Sequence, residues 1–353
     1  METKVLPVSR DSLALASSLL RDGNLVAFPT ETVYGLGADA LQPEAVRGIF
    51  AAKARPADNP LIVHISDRAQ LTDLCEIPEA SLPLMDAFWP GPLTLLFPRK
   101  KTVPDVVTAG LMTVAIRMPS HPGAAALLRA CGLPIAAPSA NRSGRPSPTT
   151  AAHVLEDMRG RIPLILDGGS CQVGLESTVL DLTHGEPVIL RPGGITQDML
   201  EKVLGCPVAL AGSILRPLGE HETALSPGMR YKHYAPQALL SLVQGEEENV
   251  LREMRSRCLS DREKGLHSCV LCFHEHMEAL RECSPHDLGS ISRPEETANR
   301  LFDVLRGVDE ERMDTVYSEV LPPKGMGLAV MNRLGRAAAF RILQADSVAP
   351  GES

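Results

Sequence analysis

Aromatic side chains are scarce: 353 residues hold seven Phe, four Tyr and one Trp. Any core must therefore be packed from Leu, Val, Ile and Ala. Positive charge is not in excess either. Lys and Arg number 35 against 43 Asp and Glu, a formal net charge of −8 at pH 7. That argues against a protein that holds nucleic acid by bulk electrostatics, although a local basic pocket stays open. No apolar run approaches the length of a membrane span. Met1-Glu2-Thr3-Lys4 opens without the apolar segment of a secretory signal. Eight cysteines lie scattered at Cys75, Cys131, Cys171, Cys206, Cys258, Cys269, Cys272 and Cys283, without a pairing framework, as reduced thiols do. These absences leave a globular protein with a cytoplasmic location as the expectation. Its 44% hydrophobic and 22% charged residues fit a packed chain, and its length suits two domains.

The apolar patterning alternates short runs with helical stretches. Strands are predicted at Leu25–Phe28, Leu61–Ile65, Leu93–Phe97, Thr113–Arg117, Pro163–Leu166, Val179–Leu182 and Val188–Leu190. Helices are predicted at Asp11–Asp22, Pro43–Ala52, Gly123–Cys131 and Ala151–Met158, giving a mixed α/β domain over residues 1–206. Residues 207–236 read as a linker, broken by Ser226-Pro227-Gly228-Met229 and Ala235-Pro236. Its Arg230, Tyr231, Lys232, His233 and Tyr234 are richer in ligand-touching groups than a plain spacer. Residues 237–346 restart the alternation. Strands at Ala238–Val243, His267–Phe273 and Thr315–Leu321, with helices at Glu246–Leu259, Glu295–Gly307 and Gly327–Gln344, predict a small parallel α/β domain.

Three loops carry candidate chemistry. Pro29 to Gly37 follows a buried strand, where α/β folds place ligands. Its Thr30 and Thr32 flank Glu31, and Gly35 and Gly37 permit close backbone approach; a turn capped by a threonine is the plain alternative. Lys53-Ala54-Arg55-Pro56, with Asn59 and His64 beyond, sets two cations on one side of an extended segment, which suits a polyphosphate. The same pair also fits a solvated helix C-terminus. Ala137 to Thr149 crowds Ser139, Asn141, Arg142, Ser143, Gly144, Arg145 and Ser147 into a loop after an apolar run, with backbone N–H and hydroxyl groups for phosphate or ribose. Arg117 and Arg191 each close a strand, where an arginine often snorkels at the surface. Cys269-Val270-Leu271-Cys272 imitates metal-ligand spacing, but it falls in an apolar run and no second pair follows.

In order, Phe28-Pro29-Thr30-Glu31-Thr32-Val33-Tyr34-Gly35-Leu36-Gly37, Lys53-Ala54-Arg55 with Asn59-Pro60-Leu61, Trp89-Pro90-Gly91-Pro92-Leu93-Thr94, Pro138-Ser139-Ala140-Asn141, Glu176-Ser177-Thr178 and Arg191-Pro192-Gly193 resemble the YrdC-like domain. The linker around Tyr231-Lys232-His233-Tyr234 and the segment Gly325 to Leu334 are similar to those of the two-domain threonylcarbamoyl-AMP synthases. The resemblance implies a YrdC-like twisted-sheet α/β domain, similar to dihydroxybutanone phosphate synthase, followed by a small Rossmann-like domain. It implies condensation of L-threonine, bicarbonate and ATP, with Mg2+ accompanying the nucleotide, to L-threonylcarbamoyladenylate and pyrophosphate. A separate tRNA threonylcarbamoyl transferase complex would take the product. By position, Thr32, His64, Arg117, Ser177 and the backbone near Ala137 match the threonine site, with Arg117 clamping the carboxylate. Arg55, Asn59, Thr113, Ser139, Ser147 and Arg191 match the nucleotide site, joined by Lys53 and Asn141; Lys53 and Arg55 are the candidate catalytic groups. Tyr234, ahead of Tyr231, would close over the nucleotide. No residue presents itself as a general base. A carbamoyl transferase like the YrdC-like part of hydrogenase maturation proteins, and an RNA-binding module, are the competing readings.

Overall fold

The computed structural model describes residues 1–214, 216 and 234–345. The described chain forms two compact units, one of residues 1–143 and 147–214, the other of residues 144–146, 216 and 234–345.

The first unit carries eleven strands in one mixed sheet. They are β1 (Lys4–Pro7), β2 (Val26–Phe28), β3 (Gly35–Asp39), β4 (Ile62–His64), β5 (Leu93–Pro98), β6 (Thr113–Arg117), β7 (Ile135–Ala136), β8 (Leu164–Asp167), β9 (Thr178–Asp181), β10 (Val188–Arg191) and β11 (Ala209–Leu210). Their spatial order is β1-β8-β2-β3-β7-β4-β6-β5-β9-β10-β11. Central strands are apolar on both faces because helices cover them, and Val26, Ala27 and Phe28 are wholly buried. Phe28 packs with Leu20, Leu127, Leu128 and Leu166. The helix Arg10–Arg21 starts at Ser9, whose hydroxyl accepts from Ser12 N while Ser12 returns the bond. The helix Pro43–Lys53 has proline in its first turn and ends at Ala54 in the left-handed region, φ 51°.

The second unit is a five-stranded sheet in the order β14-β13-β15-β12-β16, with every pairing parallel. Its strands are β12 (Leu239–Gln244), β13 (Ser268–Cys272), β14 (Pro285–Asp287), β15 (Thr315–Ser318) and β16 (Ile342–Gln344). The helices Glu247–Glu263, Pro294–Glu310 and Met326–Ala337 connect them. Cys269 and Cys272 are buried within β13, and burial first of all pushes both thiols up to about 12.

Three expectations need correction. The first sheet runs past residue 206: β11 lies inside the expected linker and pairs with β10. The middle of that linker, residues 217–233, lies outside the described residues. The closing helix stops at Ala337 rather than Gln344, because Ala339 and Phe340 turn left-handed, φ 49° and 58°; the chain then returns as the edge strand β16. Gly35 to Asp39 is not a loop but a strand antiparallel to β2. Its glycines are required there: a Cβ on Gly37 would lie 2.8 Å from Ile135 and 2.9 Å from the Phe28 ring.

Gly193 marks another close approach. A Cβ there would lie 2.4 Å from Thr178 N and 2.5 Å from Glu176 O. Gly193→Ala must push backbone rather than a flexible side chain. The expected cost is about 1–3 kcal/mol, read as a lower urea midpoint at unchanged slope. An unmoved midpoint would show that the segment yields freely.

Candidate active site

The strand pairing brings together residues far apart in sequence. β4 and β6 run parallel with His64 opposite Arg117, and β5 runs antiparallel to β6 with Thr94 opposite Arg117. Arg117 is buried, not snorkelling. Its Nη1 donates to Thr32 Oγ1 at 2.8 Å, its Nε to Gly91 O at 3.3 Å, and its Nη2 stands 2.6 Å from Glu31 Oε1. A guanidinium has five N–H groups, so two remain for a ligand. His64 lies edge-on to Phe28, with Nδ1 3.2 Å from Ile62 O. Burial, and then the Arg117 charge, pull its pKa down to about 3, so the ring is neutral. Ala137 N donates to Ile62 O at 2.9 Å. The Thr94 and Ser177 hydroxyls share a 2.7 Å bond.

The loop holding Thr32 is a hydroxyl-locked turn rather than a helix cap. Thr30 Oγ1 donates to Val33 O and accepts from Thr32 N and Val33 N. Backbone bonds tie this loop to the one after β7: Leu36 N donates to Pro138 O, Ala140 N to Tyr34 O, and Tyr34 N to Pro148 O.

Polar groups expected at the nucleotide gather beside it. Lys53 ends its helix instead of lying on an extended segment with Arg55, since Ala54 reverses the chain between them. It is buried, not solvated, and its Nζ donates to Ser139 O, Asn141 O and Asn141 Oδ1. Ser139 Oγ donates to Asn141 Oδ1. Arg55 Nη2 donates to Asn59 O at 3.1 Å. Asn59 is buried, yet neither polar atom of its amide has a hydrogen-bond partner; a buried orphan amide of this kind belongs to a ligand site. Ser147 Oγ donates to the buried Glu176 at 2.5 Å. In β10 the register shifts between Ile189 and Arg191. Such a shift re-aims a side chain, and Arg191 turns inward, with Nε to Ser177 O at 3.0 Å and Nη2 to Ser177 Oγ at 3.1 Å.

Thr113 opens β6, at the end opposite Arg117, where the parallel register of β4, Ile62 opposite Ala115, starts. Tyr234 belongs to the second unit, where its ring packs on Phe302 at 5.1 Å with φ 64°. Residues 230–233, Tyr231 among them, lie outside the described residues. Conversely, Glu31, Glu176 and Thr94 hold site residues in place without having been assigned a role. The signal for each was its place beside or within a candidate motif: Glu31 between two threonines, Glu176 before Ser177, and Thr94 at the end of the motif from Trp89.

Comparison with known proteins follows this geometry. A family profile described as "Telomere recombination" matches residues 18–193, and one described as "Threonylcarbamoyl-AMP synthase, C-terminal domain" matches residues 195–339. Threonylcarbamoyl-AMP synthase of Bacillus subtilis is 47% identical over 97% of this chain and 97% of its own length. That of Pyrococcus abyssi is 46% identical over 94% and 95% respectively. The chain belongs to the threonylcarbamoyl-AMP synthase family. It is an enzyme with both parts of the two-domain members, which answers the carbamoyl-transferase and RNA-module alternatives. Schizosaccharomyces pombe has a further threonylcarbamoyl-AMP synthase, 41% identical over 94% of this chain and 89% of its own length. Among solved structures, P. abyssi Sua5 complexed with L-threonine superposes with a TM-score of 0.90 at 44% identity, covering 98% of this chain and 99% of that one.

Proposed function

We propose that the chain makes L-threonylcarbamoyladenylate from L-threonine, bicarbonate and ATP, releasing pyrophosphate, for the threonylcarbamoyladenosine modification of tRNA. One observation carries the reading: Ser177 joins the two clusters. Its hydroxyl meets Thr94, the strand neighbour of Arg117, while Arg191 from the other cluster holds its carbonyl and hydroxyl. An amino acid on Arg117 and a nucleotide on Arg191 and Lys53 would share one site.

The chemistry asks for positioning more than covalent help. The threonine amine attacks the bicarbonate carbon, and water leaves to give the carbamate. A carbamate oxygen then attacks the α-phosphorus, and the bond to pyrophosphate breaks. Arg117 orients the carboxylate of threonine, the neutral His64 lines the amino-acid side, and Lys53, Arg55 and Arg191 offset charge developing on the phosphates. The nucleotide cluster supplies donors, and no metal-holding group of three acidic, His or Cys side chains occurs among the described residues. Mg2+ would therefore arrive on the ATP phosphates, without a protein cage. The product passes to a tRNA threonylcarbamoyl transferase complex, and any direct tRNA contact is weak at net charge −8. No helix among the described residues is long and apolar enough to cross a membrane, and the cysteines are free, which supports a cytoplasmic enzyme.

Pyrophosphate release from ATP, with threonine and bicarbonate each present or omitted, tests the reading. Release is expected only with both. Release that ignores threonine would overturn it.

A further inference from the structure

We propose that Glu31 sets the charge of the amino-acid site, so that the site selects an α-amino acid as its zwitterion over an anion of the same shape that lacks the amine. This rests on the reading given under Proposed function.

Glu31 and Arg117 are both almost completely enclosed, 5% and 4% exposed at their side chains, and lie 2.6 Å apart. The backbone that carries Glu31 is fixed from two sides. The Thr30 turn locks it, and Val173 N donates to Glu31 O at 2.8 Å. Three further titratable groups face the pair. His64 is neutral, with its pKa near 3. His121 is held below the ordinary histidine value, chiefly by burial. Cys171 is pushed up to about 12, again chiefly by burial. At neutral pH the formal sum over these five groups is therefore zero: one anion, one cation, three neutral side chains.

A buried site with zero net charge accepts a neutral guest at least cost, because an unbalanced charge inside a protein is expensive. Threonine enters as a zwitterion and leaves the sum at zero. Its carboxylate takes the two free N–H groups of Arg117 and adds a dipole, not a net charge. A 2-hydroxy acid of the same shape brings one uncompensated negative charge. With Glu31 neutralised, Arg117 stands alone and the preference reverses: the anion is then the guest that balances the site.

Glu31→Gln keeps the shape and an acceptor for Arg117 but removes the charge. The test is calorimetric binding of L-threonine and of 2,3-dihydroxybutanoate, its 2-hydroxy analogue, to the full chain as wild type, Glu31→Gln and Glu31→Asp. Wild type is expected to prefer threonine by roughly tenfold or more. Glu31→Gln should weaken threonine and tighten the hydroxy acid, so that their ratio falls at least tenfold, and Glu31→Asp should restore it. A merely structural role would weaken both ligands by one factor, and that result overturns the proposal. Should Glu31→Gln fail to fold, the wild type alone decides: equal or tighter binding of the hydroxy acid refutes charge selection. Wild type that binds neither compound would overturn the threonine reading itself.

Discussion

Lys53→Ala will lower pyrophosphate release at saturating substrates by about 10²–10³-fold, the usual loss when one preorganised electrostatic group is removed. Lys53 is the most enclosed cation of the nucleotide cluster, 3% exposed. Its ammonium takes the carbonyls of Ser139 and Asn141 and the Asn141 side chain. It therefore does two things at once. It brings a positive charge to the phosphates, and it pins the loop that presents Ser139 and Asn141. Without it, buried acceptors lose their donor, at roughly 1–3 kcal/mol each, so a thermal melt must accompany the rate measurement. Lys53→Arg will not rescue the rate, because a planar fork cannot replace a compact ammonium among three convergent oxygens. A Lys53→Ala rate within threefold of wild type, in folded protein, would remove Lys53 from the mechanism.

Arg117→Ala should have the largest effect on stability and weaken threonine recognition at the same time. Truncation leaves the Glu31 carboxylate buried without its counter-ion, a loss of about 3–5 kcal/mol. Threonine affinity should fall roughly a hundredfold, the scale for removing a buried charged partner of a ligand carboxylate. The two effects separate in Glu31→Met/Arg117→Met, where apolar side chains replace the pair. Stability should largely return, and threonine binding should not.

The sign of the pH dependence checks the same assignment. Burial alone would raise the Glu31 pKa, but the Arg117 charge and hydrogen bond outweigh it and hold the carboxyl below the ordinary glutamate value. A carboxyl depressed in the folded state contributes stability fully above the unfolded value, about 4.3, and loses it as the pH falls further. In Arg117→Ala burial, the largest influence, is opposed only by the lesser backbone hydrogen bonds of Glu31 and Ser120, so the carboxyl rises and its penalty eases on acidification. The deficit of Arg117→Ala against wild type, measured by urea unfolding, should therefore shrink from pH 7 to pH 4. An equal deficit at both pH values would mean that Glu31 is not the group left uncompensated.

The sequence alone determined the α/β class, the presence of two domains and most strands. These follow from short-range causes: apolar runs of strand length, proline in first turns, hydroxyl caps and turn residues. It determined the loops that carry polar groups as well, because their residue types and order are local. Even so, local rules failed where distant packing decided. Gly35 to Asp39 carries two glycines, which disfavour a strand, but the Phe28 ring fills the space that their side chains would have taken. The helix from Met326 ends at Ala337 with no glycine or proline after it to announce the end, because the segment after it completes the sheet edge as β16.

At the site the division is sharper. Strand-end arginines are ordinarily surface residues. Arg117 and Arg191 are buried instead because β4, β5, β6, β9 and β10 stack in one sheet, with a register shift aiming the second inward. That Glu31 faces Arg117 depends on contact across 86 residues, as does the bond from Lys53 to the Ser139 carbonyl. A sequence fixes which groups are available; charge balance and burial belong to the neighbours, and only the tertiary structure chooses those.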